Sequence, residues 1–428
     1  MISFPTTRAS AVSSGNSRFQ PKLLGIVELF AGAAGLAQGF LRAGGFELIA
    51  LSDIKPIARE TFLNNYPDAH YICEDVHQLQ PKQLFDAANG RRIVGLLGGP
   101  PCQGFSLAGR KNPEDVRNQY VIDYARFVED LDPDFLLMEN VPQLLFHVSF
   151  RNLFERLQAS FNIRYAIVNA ALYGVPQTRH RIFILAYHRR LGIEPSFPQP
   201  THGFVAPVYN YSQQRFADPD DRSSVADILG ADPVIRALPH LLAPTQAGSG
   251  DTLPLVTVHE AIEDLYPLKD AGTLEGYPQN ATSSFALWAR QDSIKPENHI
   301  ARVHSSSLMR LMRLIPHGGD LRDVDRTLWP KSHYSQAYGR LHWDGLARTI
   351  TTFFCNPGSG RFIHPVEDRA ITVREAARLQ SFPDSFRFFG TQTEQMELVG
   401  NAVPPLLAQK LAEHIYQELA EKTDPIDQ

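Results

Sequence analysis

Cysteine is scarce in this chain of 428 residues: Cys73, Cys102 and Cys355 are all there is. They are odd in number, widely spaced, and form no CxxC pair or metal-ligand spacing. That excludes a disulfide framework and a structural zinc, and it points to a reduced, intracellular protein without a metal. Long apolar runs are also missing. None approaches the ~20 residues that cross a bilayer, so no membrane partner is expected. The opening "MISFPTTRASAVSSGNSRFQPK" lacks the apolar centre of a secretory signal. Residues 1–20 read as a disordered tail, with a transit peptide as the other reading. Charge of one sign is lacking too. A net charge of −5 argues against wholesale coating of nucleic acid but leaves room for a local basic face. Internal repeats are absent.

What is present is ordinary globular composition, 43% hydrophobic and 20% charged, at a length that suits two or three domains. Over 23–188, short apolar runs alternate with amphipathic stretches. "LLGIVELF", "FELIALSD", "RIVGLLGG", "PDFLLMEN" and "HRIFILAYH" read as buried strands. "GLAQGFLRAGG", "KPIARETFLNNYP" and "QYVIDYARFVEDL" read as helices. This rhythm predicts an α/β fold whose parallel sheet is covered on both faces. Over 189–343 the rhythm fades, and prolines, glycines and aromatics accumulate, as in a loop-rich recognition domain. Residues 301–350 carry Arg302, Arg310, Arg313, Arg322, Arg326, Lys331, Arg340 and Arg348 against Asp320, Asp323, Asp325 and Asp344. That is either a contact face for a polyanion or a solvated surface. Regularity returns at "ITVREAARLQSFPD" and in "PPLLAQKLAEHIYQELAEK", whose apolar stripe predicts a helix packed back on the first domain. The boundaries expected are 1–20, 21–189, 190–375 and 376–428.

Several strand ends carry chemistry. "VELFAGAAGL" puts a strand before a small-residue turn that opens a helix, where Gly32 and Gly35 let the backbone approach a ligand. Asp53 ends the next strand, about twenty residues on, where a carboxylate suits ribose hydroxyls. Asp75 ends a third, "YICED". Together they suggest a nucleoside cofactor, against two ordinary helix-capping aspartates. Cys102 follows Pro100 and Pro101, which stiffen its loop as a nucleophile requires; a buried inert thiol is the alternative. Glu139 ends the very apolar "FLLMEN", where a carboxylate resists ionisation unless it finds a partner. It either acts on substrate or caps the next helix. In "YGVPQTRHRIF", Arg179 and Arg181 alternate along a strand and so point the same way. They converge on an anionic or carbonyl-bearing ligand, or lie exposed on an edge.

Taken in order, these stretches resemble the cytosine-C5 DNA methyltransferases over about 25–410, apart from the tail and most of 190–340. "FAGAAGL" is similar to the family's cofactor loop, "GGPPCQGFS" to its Pro-Cys-Gln loop, "MENV" to Glu-Asn-Val, and "QTRHR" to Gln-x-Arg-x-Arg. "TVREAARLQSFPD" and "VGNAVPP" match two further motifs. Ala34 departs from the pattern by replacing a second glycine, and is expected to fit only with negative φ. The resemblance implies a Rossmann-like S-adenosylmethionine-dependent methyltransferase sheet with helices on both faces, plus a smaller loop-rich target-recognition domain over about 190–345. "VTVHEAIEDL" (256–265) and "HSSSLMRLMRLIPHGGD" (304–320) would be helices in or beside that domain.

The resemblance also implies roles. Phe30, Gly32 and Gly35 would contact the cofactor, Asp53 its ribose, and Asp75 and Val76 its adenine. Pro101, Tyr120, Asn401 and Ala402 would line the rest of that pocket. Cys102 would attack C6 of a flipped cytosine, Glu139 would bond N3 and the exocyclic amine, and Arg181, helped by Arg179, would fix O2. The product would be S-adenosylhomocysteine, and no metal would take part. Double-stranded DNA is the expected partner, with a cognate restriction endonuclease sharing the site. The chain is expected to act as a monomer in a bacterial cytoplasm, on the nucleoid. An RNA (tRNA) cytosine methyltransferase on the same scaffold and a non-catalytic DNA-binding regulator are the alternatives.

Overall fold

The computed structural model describes residues 23–101, 119–203, 252–268, 275–331 and 337–423. The expected tail at 1–20, Cys102 with the rest of its loop to 118, and all of 204–251 lie outside the described residues. The strands of the first half are β1 (Leu24–Leu29), β2 (Phe46–Asp53), β3 (Tyr71–Cys73), β4 (Ile93–Gly98), β5 (Phe135–Asn140), β6 (Phe161–Asn169), β7 (Gln177–Thr178) and β8 (His180–His188). Between them run α1 (Gly35–Ala43), α2 (Pro56–Asn65), α3 (Pro81–Ala88), α4 (Gln119–Leu131) and α5 (Val148–Leu157). Seven strands form one sheet in the order β3-β2-β1-β4-β5-β8-β6.

The apolar runs become its centre because both faces are covered, so no polar alternation is needed. Neighbouring residues of one strand feed opposite layers. Ile26, Phe135 and Leu137 pack beneath Leu36 and Phe40 of α1. Val27, Leu136 and Met138 pack beneath Val121 and Phe127 of α4 and Leu153 of α5. The expectation of a parallel sheet needs one correction. The five strands β3-β2-β1-β4-β5 are parallel, but β8 runs antiparallel to both β5 and β6. Only residues 170–179 separate β6 from β8, too few for a crossover helix, so the chain must turn straight back.

Beyond β8 the elements are short. They are β9 (His202–Gly203), β10 (Leu253–Pro254), α6 (Val258–Ile262), α7 (Ser284–Ala289), α8 (Ser306–Leu314), β11 (Ala347–Arg348) and α9 (Val373–Leu379). Two helices follow, α10 (Gln392–Asn401) and α11 (Pro405–Thr423). The expected helix over 304–320 stops at Leu314. Pro316 pushes Ile315 to extended backbone (ψ 116°), and Gly318 then takes a positive φ. Leu311, Met312, Ile315, Leu321, Val324 and Ile363 form a satellite cluster. Leu255, Val258, Ala261, Phe285 and Trp288 instead join the main core on the α1 side. Among the described residues no helix is long and apolar enough to cross a membrane.

The late helix α11 packs on α1 through an interface with no spare room. A Cβ on Gly39 would stand 2.3 Å from the Ala408 methyl and 2.5 Å from the Gln409 nitrogen. Gly39→Val gains a few tenths of a kcal/mol of helix propensity. Overpacking costs roughly 1–3 kcal/mol. The clash wins, so the variant is expected to unfold at lower urea with an unchanged slope, measured by circular dichroism. An unaltered midpoint would show that the two helices can move apart freely.

Candidate active site

The sheet order reverses at β1, which has β2 on one side and β4 on the other, and a cleft opens outside the carboxyl ends of these strands. In such sheets ligands bind at this switch point. The cleft holds about 240 Å³ and is open to solvent on one side. Phe30, Gly32, Gly35, Asp53, Asp75, Val76, Pro101, Tyr120, Glu139, Arg179, Arg181, Asn401 and Ala402 all line it. Thus every predicted site residue that the structure describes reaches one cavity. Cys102 is the exception because it lies outside the described residues, although Pro101 before it is on the wall.

One half of the cleft is built on β1, β2 and β3. The turn after β1 is left-handed at Phe30 (φ 56°), Gly32 (φ 54°) and Ala34 (φ 54°). The expectation that Ala34 needs a negative φ is therefore corrected. Such a conformation costs an alanine about 1–2 kcal/mol, and its context compensates: the methyl is fully buried, and the Ala34 N–H donates to the Ala31 carbonyl at 2.6 Å. Asp53 fixes this turn, since its Oδ2 accepts the Gly32 N–H at 2.9 Å and its Oδ1 the Lys55 N–H at 2.9 Å. Burial raises the Asp53 pKa, and those two amides work against the rise. Asp75 accepts the His77 N–H at 3.0 Å. Tyr120 meets Phe30 edge-on at 5.6 Å and stacks on His77 at 4.5 Å, and the Phe30 and Tyr120 rings line the cleft.

The far wall comes from the C-terminal motifs. A Cβ on Gly35 would sit 2.0 Å from the Val403 carbonyl oxygen, so the backbone that Gly35 admits is Val403 itself. Gln380 donates to the carbonyls of Val399 (2.7 Å) and Ala402 (3.2 Å), fixing the segment that carries Asn401 and Ala402. Gln177 in turn donates to the Leu379 carbonyl at 2.7 Å and to the Gln380 side chain at 2.5 Å.

The other half lies at the end of β5 and the start of β8, which are antiparallel neighbours, with Glu139 opposite Phe183. The Arg181 Nε approaches Glu139 Oε1 to 2.9 Å. The N–H is not aimed along that line, and Oε1 has no aligned hydrogen-bond donor. Glu139 is therefore charge-paired yet keeps acceptor capacity on the cleft side. Its other oxygen is 3.4 Å from where a Gly99 Cβ would stand, and Asn140 holds the adjoining loop by donating to the Pro100 carbonyl at 3.1 Å. Arg179, 2% exposed, donates to the carbonyls of Ile350 and Gly400, each at 3.2 Å. It ties the C-terminal wall at Gly400 to the segment leading out of the middle region.

Sequence reasoning assigned no role to Glu28, Lys55, Gln177, Gln380 or Glu397. Glu28, Lys55 and Glu397 also line the cleft, and Lys55 pairs with Glu397 at its rim. Glu28 did carry a signal, a carboxylate inside a buried strand. Among the described residues no cluster of His, Cys, Asp and Glu could hold a metal.

Residues 24–417 match the family described as C-5 cytosine-specific DNA methylase. The type II methyltransferase M1.HphI of Haemophilus parahaemolyticus is 32% identical over 399 residues, covering 91% of this chain and 86% of that one. M.AgeI of Thalassovita gelatinovora, also a type II methyltransferase, is 30% identical over 455 residues, covering 91% and 98%. Among solved structures, a DNA modification methyltransferase encoded within a prophage (E. coli) superposes with a TM-score of 0.67 at 24% identity. It covers 93% of this chain and 99% of that chain, a likeness of fold. The family match and these relatives span the strands, the cleft and its C-terminal wall alike: the chain belongs to the C-5 cytosine-specific DNA methylases and is a DNA cytosine-5 methyltransferase.

Proposed function

We propose that the cleft takes S-adenosylmethionine in its β1–β3 half and one cytosine, flipped out of duplex DNA, in its β5/β8 half, with Cys102 as nucleophile. The observation that carries this reading is the Glu139–Arg181 pair, set in the same cleft as the carboxylate-lined pocket and beside Pro101. The residues present suit the cofactor. Asp53 offers a carboxylate for ribose hydroxyls, Val76 and Phe30 offer apolar contact for adenine, and the buried carboxylates suit a cation. Bound there, S-adenosylmethionine supplies an electrophilic methyl group.

The chain's own residues prepare the acceptor. Glu139 bonds the N3 edge and exocyclic amine of cytosine and holds a proton at N3. The ring can then accept the Cys102 sulfur at C6, and electron density moves to C5. Arg181 orients Glu139 and faces O2, while Arg179 keeps the two walls in register. After transfer, the C5 proton leaves to a base and the C6–S bond breaks. This explains how the thiol does without a neighbouring histidine: the substrate ring is activated instead. Stacking hides the ring faces in a duplex, so the base must leave the helix.

The type II relatives support a modification role beside a restriction endonuclease of the same specificity. They also support action on a bacterial nucleoid in the cytoplasm. Duplex DNA carrying 5-fluorocytosine tests the mechanism, since fluorine at C5 cannot leave as a cation. A denaturation-resistant protein–DNA adduct is expected, and Cys102→Ser should abolish it. Retention of the adduct in that variant would refute the nucleophile assignment, and labelling of tRNA alone would move the substrate to RNA.

A further inference from the structure

Glu28 is a carboxyl of the cleft to which the proposed mechanism gives no chemical step. It stands near the end of β1, 3% exposed, on the floor of the half built by β1–β3. Its Oε2 accepts the Ala37 N–H at 2.8 Å, an amide of the first turn of α1 that has no partner within the helix. No described cation bears on it. The titratable groups that act on it or feel it are Asp53 from β2, Tyr71 from β3 and Tyr124 from α4. The strand β4 carries no titratable side chain, and α1 meets Glu28 with an amide alone. The basic groups of the cleft are engaged elsewhere: Lys55 pairs with Glu397, Arg181 with Glu139, and Arg179 donates to two carbonyls. Glu28, buried and without a described counter-ion, thus shares a floor with the half-buried Asp53, on which the Lys55 charge does bear. Burial pushes the Glu28 carboxyl up to about 8, with the Ala37 amide opposing and Asp53 adding to the rise.

We infer that Glu28 is a charge selector for the bound nucleoside: it releases its proton when a cationic sulfonium ligand binds and takes it back when the neutral thioether product remains. The inference rests on the cofactor reading above. A carboxyl that is neutral in the free protein at pH 7 gains a reason to ionise only when positive charge arrives in its low-dielectric pocket. S-adenosylmethionine carries one more positive charge than S-adenosylhomocysteine, so Glu28 favours the donor over the product, and more strongly as the solution takes up the proton easily. The sign follows: ionisation is opposed below the free-protein pKa, so preference for the cation grows as pH rises toward about 8 and levels off above it. A residue that served only to cap α1 would give no such slope.

Calorimetric titration of the full chain with each ligand from pH 6.5 to 8.5 tests this. The ratio of the two dissociation constants is expected to shift about tenfold toward S-adenosylmethionine, the change worth one pKa unit. Glu28→Gln keeps an acceptor for Ala37 but has no proton to lose, so its ratio should stay flat, while Glu28→Asp should keep the slope. Infrared difference spectra of the wild-type protein give a readout that no variant is needed for. A protonated-carboxyl band should vanish with S-adenosylmethionine and persist with S-adenosylhomocysteine. A flat wild-type ratio, an unchanged slope in Glu28→Gln, or a band that persists with both ligands overturns the inference. Wild-type protein that binds neither ligand overturns the cofactor reading instead.

Discussion

Glu139→Gln is expected to lower kcat for methyl transfer by about 10²–10⁴-fold, the range for removing a positioned proton-transfer group, while cofactor affinity stays essentially unchanged. Glutamine keeps the size of the side chain and can still bond the base edge. What it loses is the charge and the proton it could hold at N3. Those matter most as the sulfur adds to C6, when negative charge spreads into the ring, so the loss should fall on kcat more than on substrate binding. Arg181 loses its counter-charge in the same variant, because its Nε stands 2.9 Å from Glu139 Oε1. Single-turnover transfer of labelled methyl to duplex DNA measures the effect, and the rate of adduct formation on 5-fluorocytosine should slow in parallel. A rate within threefold of wild type would show that the ring is activated by some other group and would leave Glu139 a cap.

The parts of this site that can be read from the sequence are those where chemistry interrupts a pattern. Carboxylates at the ends of apolar strands and a thiol behind two prolines are local anomalies. The structure brings Asp53, Asp75, Glu139 and the wall beside Cys102 to one cleft. What could not be read depends on contacts with no local period. Arg179 looked like a second substrate contact because it alternates with Arg181. It lines the cleft, and its guanidinium also reaches carbonyls 171 and 221 residues away. Nothing in the apolar run "HRIFILAYH" tells which way β8 runs, since a strand buried on both faces has the same composition in either direction. The positive φ at Ala34 was misread for a related reason. Sterics argue against it locally, and a buried methyl and a turn held by Asp53 decide it from outside. Glu28 was visible as a carboxylate in "VELF", but its meaning needed Asp53 and the Ala37 amide beside it.

Arg378→Met is expected to destabilise the fold by about 3–5 kcal/mol at pH 7, the cost of leaving buried charges uncompensated. Arg378 is fully buried in α9, and its guanidinium is the hub of a network. Its Nη2 donates to Asp264 Oδ2 at 3.0 Å and to Asp384 Oδ2 at 2.6 Å, its Nε to Asp384 Oδ1 at 2.9 Å, and its Nη1 to the Ala261 carbonyl at 3.0 Å. Both carboxylates are fully buried as well. After the substitution Asp264 keeps, among the described residues, an ion pair with Arg290 at 3.5 Å, while Asp384 keeps Arg374 at 3.6 Å and the Tyr277 hydroxyl at 2.6 Å. The pH dependence separates this cause from lost packing. In the wild type Arg378 holds the Asp384 carboxyl below its ordinary range, against burial that pushes it up, so that stabilisation is present above the unfolded pKa and fades as pH falls. In the variant the carboxyl is free to take a proton, so the deficit measured by urea unfolding should be smaller at pH 5 than at pH 7. A cavity alone would cost the same at both. The consequence for function follows along the chain: Gln380, one residue beyond α9, holds Val399 and Ala402 in place, so cofactor affinity should weaken even where the variant remains folded. Adding Asp264→Leu should recover part of the stability by removing one orphaned anion, a non-additivity that independent sites would not show.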